Sequence, residues 1–272
     1  MRKTYILGCI IFLSFSSYLN KVEQFKDYST NSDYLPTLIN KAFKRGEELT
    51  YKLHYGFLDA AYVHLNVTNE KIEFLGRKTF HVVGIGKTNG ISDWIFKVRD
   101  RYETYIDEKA LVPWLFKRRV NEGGYIINQD YSFDRFNNKV VTENGKEFIV
   151  SENIQDMISA FYQARTLDFS NIKKGDIFSL NCFIDEEVFP VKIKFQGFQI
   201  VKIKLGDFKC LKFSPVIQTG RIFKDKDDLS IYVSNDENRV LIKAEADILF
   251  GTIVVELTEF KGLRNKLNKI SK

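Results

Sequence analysis

Leu49-Thr50-Tyr51-Lys52-Leu53-His54-Tyr55 is the stretch that decides the fold, because its apolar and polar side chains alternate with a period of two. Gly56–Asp59 interrupts this alternation, and the segment from Ala61 to Val67 resumes it with apolar side chains at every second position. Two alternating runs around a short break that contains glycine predict a β-hairpin. The first recognisable element of the chain is therefore an antiparallel pair of strands.

The same period recurs along most of the remaining chain. Phe80 and Val82 continue into Gly84 and Gly86, and these glycines predict a bend or the close approach of another group. Later alternating runs lie at Val191–Phe195, Ile200–Leu205, Phe208–Val216, Leu229–Val233, Val240–Phe250 and Thr252–Phe260. About a dozen strands with turn signals at short spacing predict an all-β, antiparallel, strongly curved sheet or barrel.

One segment has helical spacing instead. Its apolar positions are Ile154, Met157, Ile158, Phe161 and Ala164. Asn153 is a suitable N-cap, so the pattern predicts one main helix from Asn153 to about Leu167. A single helix in a sheet protein is expected to serve as a plug or lid on one face or mouth. A second, short helix is expected around Leu35–Phe43.

The N-terminal residues predict export. Arg2 and Lys3 form a positive segment, Tyr5–Phe15 is apolar, and small serines follow up to Ser17. This order is typical of a signal peptide, and the apolar part is short for a membrane span of roughly 20 residues. An uncleaved anchor or a buried first strand are the alternatives. The expected organisation is a signal peptide at 1–17, a polar lead-in at 18–45, a single β domain at 46–262 and a basic C-terminal tail at 263–272 that is short enough to fray.

Composition and charge restrict the classes of partner. The formal net charge is +6, and the lysine and glutamate residues are interspersed rather than clustered in a block. A nucleic-acid-binding protein would need a clustered basic patch, so we expect no nucleic-acid partner. Hydrophobic residues make up 44% of the chain, enough for a sizeable core. After cleavage we expect a periplasmic or extracellular protein with peripheral or no membrane association.

No signature of an enzyme occurs in the sequence. It has no H-E-x-x-H, C-x-x-C, G-x-S-x-G or phosphate-cradling glycine motif. His54 and His64 lie on the two arms of the first hairpin, and as diagonal neighbours they would form at most a weak metal site. We therefore expect no catalytic residue, no metal and no cofactor. Cys182 and Cys210 fall in neighbouring strands and are expected either to pair or, slightly favoured, to remain free core thiols.

Strand phase singles out charged side chains on apolar faces. Asp100 shares a predicted face with Trp94, and Arg118 and Glu122 share one with Trp114. Arg221 falls on the face of Phe213. Buried charges are costly unless they are paired, so we expect Asp100 to pair with Arg118 or Arg221. The candidate ligand-binding residues are Asp100, Arg118, Glu122, Arg221, Trp94 and Trp114; a structural salt-bridge network, or a bulge that returns them to solvent, is the alternative.

Several long motifs resemble one family of exported bacterial proteins. They are Gly46–Tyr51, Gly90–Tyr102, Glu122–Tyr125, Gln155–Tyr162 and Gln218–Phe223. The chain is identified on these motifs as similar to domain of unknown function 3108 (DUF3108), especially its Bacteroidetes members, over about residues 40–262. The resemblance implies export and an antiparallel β architecture akin to lipocalin-like or lipoprotein-carrier barrels. It implies no reaction. Asn238–Leu241 departs from the pattern, because it lacks the proline expected near that turn.

Three functions remain open from the sequence. The first is a non-catalytic envelope module that binds an apolar or envelope-derived ligand, such as a lipid, in a cavity. The second is a structural or interaction protein with a filled core that acts through its surface in envelope biogenesis. The third is a hydrolase that uses Asp100 and Glu122 as paired carboxylates. The volume of the interior separates the first two, and the distance between the carboxylates tests the third.

Overall fold

A computed structural model describes residues 35–56, 58–216, 229–248 and 251–270. The predicted signal peptide at 1–17 and Arg221 lie outside these described residues. The strands are β1 (Glu48–Tyr55), β2 (Leu58–Val67), β3 (Ile72–Phe74), β4 (Arg77–Thr88), β5 (Arg99–Asp107), β6 (Pro113–Glu122), β7 (Tyr125–Asp134), β8 (Lys139–Thr142), β9 (Glu147–Ile149), β10 (Ile177–Ile184), β11 (Glu187–Ile203), β12 (Gly206–Pro215), β13 (Leu229–Ser234), β14 (Leu241–Ile248) and β15 (Gly251–Lys261). The helices are α1 (Gly90–Ile95) and α2 (Met157–Ala164).

All these strands belong to one sheet, and their pairings are antiparallel. The order is β10-β11-β12-β13-β14-β15-β1-β2-β4-β5-β6-β7-β8-β9, with β3 paired to β4. The all-β antiparallel prediction is therefore confirmed, and the sheet has more strands than expected. Strands β9 and β10 end the order and do not pair with each other, so direct strand pairing does not close the sheet.

Side chains nevertheless join strands that lie far apart in this order. The ring of Phe183 on β10 packs against that of Tyr131 on β7, with centroids 5.0 Å apart. The chain before α2 also pairs with the β10 edge, because Gln155 N donates to Asn181 O and Phe183 N donates to Gln155 O, both at 2.8 Å. The segment leading into α2 thus covers part of the edge that β10 would otherwise expose.

Helix α2 is shorter than its apolar pattern indicated and starts later. Asp156, not Asn153, is its N-cap: the carboxylate accepts hydrogen bonds from Ile158 N and Ser159 N, and Ser159 Oγ accepts one from Asp156 N. This reciprocal arrangement is a capping box, which fixes the start of a helix. Residues on several sides of α2 are buried, including the polar Ser159 and Gln163. The helix is therefore an internal element of the fold.

The predicted close approach at Gly84 is confirmed. A Cβ atom placed there would lie 3.1 Å from Leu65 Cδ2 and 3.4 Å from Ile158 Cδ1. The first distance is too short for a comfortable side-chain contact, so the absence of a side chain makes room for Leu65 of the neighbouring strand β2. Ile158 of α2 lies over the same position at ordinary contact distance.

Two other segments differ from the sequence expectations. Residues 35–43 form no helix, since Asn40 Oδ1 accepts the backbone N–H groups of Ala42 and Phe43 in a local turn. Leu35 and Phe43 are nevertheless buried. The segment 263–270 does not fray: Leu267 is buried, and Ile270 N donates to Asp207 O at 2.8 Å. Both flanking segments pack against the sheet.

None of the helices in the described part of the chain combines the length and the apolar character that a membrane crossing requires.

Candidate functional site

One cavity, which we call cavity 1, lies between α2 and strands β10–β14 and has a volume of about 220 Å³. Its charged lining residues are Arg118, Arg165, Asp185 and Arg239, and the rest of its lining is apolar. An engineered cavity of about 150 Å³ with an apolar lining stays dry and binds benzene. Cavity 1 is larger than that and is chemically suited to an aliphatic or aromatic group.

Cavity 1 follows the length of β13. Leu229, the first residue of β13, lines it, and so does Arg239, which lies in the connection after the other end of this strand. With about 3.3 Å per residue, β13 spans roughly 20 Å. Residues at both ends of β13 therefore border the same space of about 220 Å³. Its apolar walls suit an aliphatic group, and Arg239 adds a charged group at one of these ends.

Arg239 is the charged group of cavity 1 that carries no ion pair among the described residues. Its guanidinium carbon lies 5.1 Å from the centre of the Phe169 ring, and its side chain is half-buried. Burial lowers the pKa of Arg239, and the carboxylates of Asp236, Asp168 and Glu237 act in the opposite direction. Donors of this guanidinium therefore remain available to an acceptor that enters the cavity.

Two of the three carboxylates that act on Arg239, those of Asp236 and Asp168, already accept hydrogen bonds. Asp236 accepts hydrogen bonds from Asn238 N and Asn268 N, both at 3.0 Å, and Asp168 accepts one from Ser170 N at 2.9 Å. These bonds hold the two carboxylates on the surrounding loops. Because hydrogen bonds to a charged acceptor are worth about 1.5–3 kcal/mol, the carboxylates are not readily released to pair with the arginine.

The backbone of Arg239 is in the left-handed region, with φ +50°. This conformation costs a non-glycine residue roughly 1–2 kcal/mol. A proline ring, which fixes φ near −65°, is therefore excluded at position 239 of the turn Asn238–Leu241. Asn238 holds the turn by donating from Nδ2 to Asn265 O at 3.1 Å. The fold thus sustains a strained backbone at the residue that carries the guanidinium into cavity 1.

Two further arginines at the wall of cavity 1 are paired. Arg118 is buried, and its Nη1 lies 2.8 Å from Oδ1 of Asp185 in the β10–β11 turn. Arg165 Nη2 lies 2.8 Å from Oε2 of the buried Glu47. Arg118 is buried as predicted, and its ion pair is with Asp185. Its positive charge also acts on Asp100 and favours the charged form of that carboxyl group. The alternative pairing of Asp100 with Arg221 lies outside the described residues. Asp185 comes from the far end of the strand order, so strand phase alone does not identify it.

A second cavity, cavity 2, lies on the other side of α2 and has a volume of about 130 Å³. Residues of β1, β2, β4 and β5 line it, and Asp100 and Tyr102 contribute its polar groups on β5. Met157 on α2 lines both cavities. Since methionine is unbranched and flexible, this side chain is a deformable wall between the two spaces.

Asp100 and Glu122 are both buried and lie close enough to share a hydrogen bond, and the charge of Arg118 also acts on Asp100. Burial is the largest cause that raises the pKa of Asp100 to about 7, and the neighbouring Glu122 carboxyl group contributes to this rise through repulsion and a hydrogen bond. Asn121 N donates to Asp100 Oδ1 at 3.1 Å. Asp100 therefore takes up a proton near neutral pH. Its elements are β5 and the end of β6, which the Val98–Glu122 bridge holds together.

The two predicted tryptophans do not belong to either cavity. Trp94 lies on α1, which replaces the start of the strand expected at Trp94–Ile106, and its side chain is 89% exposed. Trp114 is buried, but it packs with Leu35, Ala110 and Val112, and its indole N–H donates to Asp107 Oδ2 at 3.1 Å. The structure therefore does not bring Trp94 and Trp114 together with Arg118 or Asp100 at these two cavities.

The remaining candidates for chemistry are accounted for individually. Cys182 and Cys210 are buried free thiols, and burial raises the pKa of each to about 12. His54 contacts Asp59, whereas His64 contacts Thr50, four positions further down β1, so the two imidazoles are not diagonal neighbours. In the parts of the chain described here, no group of three or more histidine, cysteine or acidic side chains is arranged to hold a metal.

Sequence reasoning missed Arg239, Arg165 and Glu47. Arg239 lies in a turn, where alternation carries no information about burial. Glu47 precedes the first alternating run by only two residues, and Arg165 follows the last apolar residue of the α2 pattern. The one available signal was an arginine immediately after a helical apolar stripe, which is also a common surface arrangement.

A family model for proteins of unknown function, DUF3108, matches residues 50–258. The chain belongs to the DUF3108 family. The matched span contains the whole lining of cavities 1 and 2. A comparison with curated proteins found no match.

Solved structures with a similar chain path include other uncharacterised families. A beta-barrel-like DUF1849 protein from Brucella abortus is 11% identical, with a TM-score of 0.47, over 80% of this chain and 98% of that one. A DUF1089 family protein from Pseudomonas aeruginosa is 7% identical, with a TM-score of 0.41, over 69% of this chain and 90% of that one. A Bacteroides fragilis protein proposed to be exported, with a YmcC-like fold, is 13% identical, with a TM-score of 0.32, over 84% of this chain and 100% of that one.

Proposed function

We propose that this DUF3108 protein is an exported, non-catalytic envelope module that binds one aliphatic chain with an anionic end group. Cavity 1 is the observation that supports it: about 220 Å³ of largely apolar space, lined along β13 and by Arg239 beyond the end of that strand. In this proposal the sheet curves around α2 in a lipocalin-like manner, and α2 acts as an internal plug. Small-molecule sites typically combine such apolar walls with a few polar groups that fix orientation.

The position of Arg239 defines the orientation of the ligand. The chain lies along β13, and the carboxylate or phosphate end group accepts hydrogen bonds from the guanidinium at the end where the strand finishes. Arginine suits planar carboxylates and phosphates because its donors form a fixed fork. The volume of cavity 1 is below the roughly 300 Å³ of drug-sized pockets, so the bound part is one short chain or one segment of a larger envelope component.

The two alternatives have less support. A filled interior would favour a protein that acts only through its surface, whereas two cavities border α2. A glycoside hydrolase needs its two carboxyl groups about 5–10 Å apart around a bond. Asp100 and Glu122 are instead close enough to share a hydrogen bond, which leaves no room for a substrate between them.

Titration calorimetry with octanoate and octanol tests the proposal, because these two probes share a chain and differ in the charge of the end group. We expect the wild type to bind octanoate more tightly than octanol. Arg239→Gln should reduce octanoate affinity about tenfold or more and leave octanol affinity nearly unchanged, since a charged hydrogen bond is worth about 1.5–3 kcal/mol. Lys194→Gln, on the exposed face of β11, is the charge-matched control and should behave as wild type.

Two variants of α2 test whether the probe enters cavity 1. Ala160→Leu fills part of cavity 1 and should lower the affinity for both probes. Phe161→Ala enlarges the cavity and should raise the affinity for probes with longer chains. Thermal melts verify that each variant is folded. The proposal is wrong if neither probe binds to the wild type, or if binding is unaffected by all three cavity substitutions.

A further inference from the structure

Helix α1 carries an apolar stripe that faces solvent. Ile91, Trp94 and Ile95 follow the i, i+3, i+4 spacing of one helix face, and they are 68%, 89% and 68% exposed. Single exposed apolar residues are ordinary, but three on one short helix form a patch. None of the residues of α1 is buried, so the stripe contributes nothing to the core.

Neighbouring turns extend this patch. Ser92 Oγ donates to Asp59 O in the β1–β2 hairpin, and Gly123 N donates to Lys97 O at 2.8 Å, which brings the β6–β7 turn beside α1. These two turns also expose large apolar side chains. We define the α1 rim as Tyr55, Leu58, Ile91, Trp94, Ile95, Tyr125 and Ile126. It occupies one end of the sheet, where β1, β4 and β6 finish.

The charges around the α1 rim are predominantly positive. Asp93 is engaged by Arg99 at 2.6 Å, which is the main cause of its low pKa of about 2, and Asp59 is engaged by Lys52 at 2.7 Å. Lys87 and Lys97 are exposed, and within the described residues neither forms an ion pair. Apolar side chains bordered by lysines that have no carboxylate partner are complementary to a surface of anionic lipid.

We propose that the α1 rim docks on the surface of a bilayer that contains anionic lipid. Trp94 inserts its ring at the level of the head groups, Ile91 and Ile95 reach the acyl boundary, and Lys87 and Lys97 contact lipid phosphates. Tryptophan suits this position because it has an apolar body and one polar N–H. The proposal is independent of ligand binding in cavity 1, and either can fail without the other.

The geometry adds a reason why such docking would be useful. Across the sheet, Tyr55 pairs with Ile253, Ile253 with Ala246, and Ala246 with Leu229. This row places Leu229, at the end of cavity 1 opposite to Arg239, at the same end of the sheet as the α1 rim. A docked protein would therefore present that end of the cavity to the membrane.

Flotation with lipid vesicles tests the proposal on the full mature chain. We expect the wild type to float with vesicles of phosphatidylglycerol and phosphatidylcholine, and to float much less with phosphatidylcholine alone. Trp94→Ser should remove most of the binding, and Lys87→Gln and Lys97→Gln should each weaken it about fivefold at low salt. Ile149→Ser, which changes a similarly exposed side chain at the other end of the sheet, is the matched control and should float as wild type.

Acrylamide quenching supplies a second readout on the unmodified protein. The exposed Trp94 should be quenched in solution and protected on anionic vesicles, while the buried Trp114 should remain unquenched throughout. The proposal is overturned if the wild type does not bind anionic vesicles, or if Trp94→Ser binds them equally well. The proposal would also be overturned if, without vesicles, Trp94 became protected from acrylamide as the protein concentration increased. The α1 rim would then be a contact between two copies of the chain.

Discussion

Arg165 and Glu47 form a buried, two-pronged ion pair, in which Arg165 Nη2 lies 2.8 Å from Glu47 Oε2 and Nη1 contacts Oε1 of the same carboxylate. Arg165 also donates from Nε to Asn238 O at 3.0 Å. The pair thus joins the end of α2, the start of β1 and the turn that carries Arg239. It fixes the geometry of cavity 1 at the end where the proposed ligand charge lies.

Replacing Arg165 with lysine should destabilise the fold although the charge is kept. Lysine cannot reproduce two parallel hydrogen bonds from one planar group, and a partly broken buried pair leaves an uncompensated carboxylate. We expect Arg165→Lys to lower the free energy of unfolding by about 3–5 kcal/mol in urea denaturation.

The exposed pair of Arg119 and Asp130 is the control for this experiment. Arg119→Lys should change the unfolding free energy by less than about 1 kcal/mol, because solvent screens exposed ion pairs. Equal effects of the two substitutions would show that the buried pair does not organise the fold.

The acid pair should make stability depend on pH. Asp100 has an ordinary pKa of 3.8 and a folded pKa of about 7, so the folded protein binds more protons than the unfolded chain between these values. Its contribution is therefore fully favourable below about pH 4 and is lost as the pH rises through about 7. Asp100→Asn keeps the shape of the protonated acid and removes the titration.

The difference between Asp100→Asn and wild type isolates this contribution from the other carboxylates. At pH 4 we expect the variant and the wild type to have similar free energies of unfolding. At pH 8 we expect the free energy of unfolding of the variant to exceed that of the wild type by on the order of a few kcal/mol. Urea denaturation at several pH values measures it. A difference that stays constant with pH would mean that Asp100 does not titrate in this range.

The contact between Gly123 and Phe96 should position α1. A Cβ atom at Gly123 would lie 2.6 Å from Phe96 Cε2, whereas one at Gly124 would have no atom within 4 Å. Both glycines have positive φ, so alanine is strained at either position. The extra cost of Gly123→Ala over Gly124→Ala reports the clash with Phe96, and we expect it to be about 1–3 kcal/mol. Equal melting temperatures would mean that Phe96 moves away freely.

Export should remove the first residues. The positive segment, the apolar segment and the serines predict cleavage after about Ser17. Mass spectrometry of protein recovered from an export-competent bacterial host should find a mature chain that starts near Tyr18. A secreted chain that retains Met1 would contradict this prediction.

Strand content could be predicted from the sequence because alternation directly records which side chains face a core. The runs Leu49–Tyr55 and Phe208–Val216 coincide closely with β1 and β12. The same signal misled at Trp94, because its alternation with Phe96 and Val98 runs across the end of α1, which finishes at Ile95. The close approach of Leu65 at Gly84 was also predictable, since a missing side chain in a strand marks a close contact.

Most of the candidate site could not be predicted, because it depends on which distant segments meet. Arg118 was correctly placed on a buried face, but its partner Asp185 lies in a turn between two strands at the other end of the sheet order. Asp100 and Glu122 were correctly placed on buried faces, yet the sequence cannot show that they face each other. Arg239 lies in a turn whose left-handed backbone has no sequence signature.

Native mass spectrometry of the protein recovered from its native host tests the central claim most directly. Wild type should carry a bound species that denaturation releases, and the released molecule should have an aliphatic chain and an acidic end group. Arg239→Gln should remain folded, by thermal melt, and lose this species, whereas Lys194→Gln should retain it. A wild-type protein that is recovered with no bound species and binds neither octanoate nor octanol would contradict the account, as would an Arg239→Gln variant that retains the same acidic molecule.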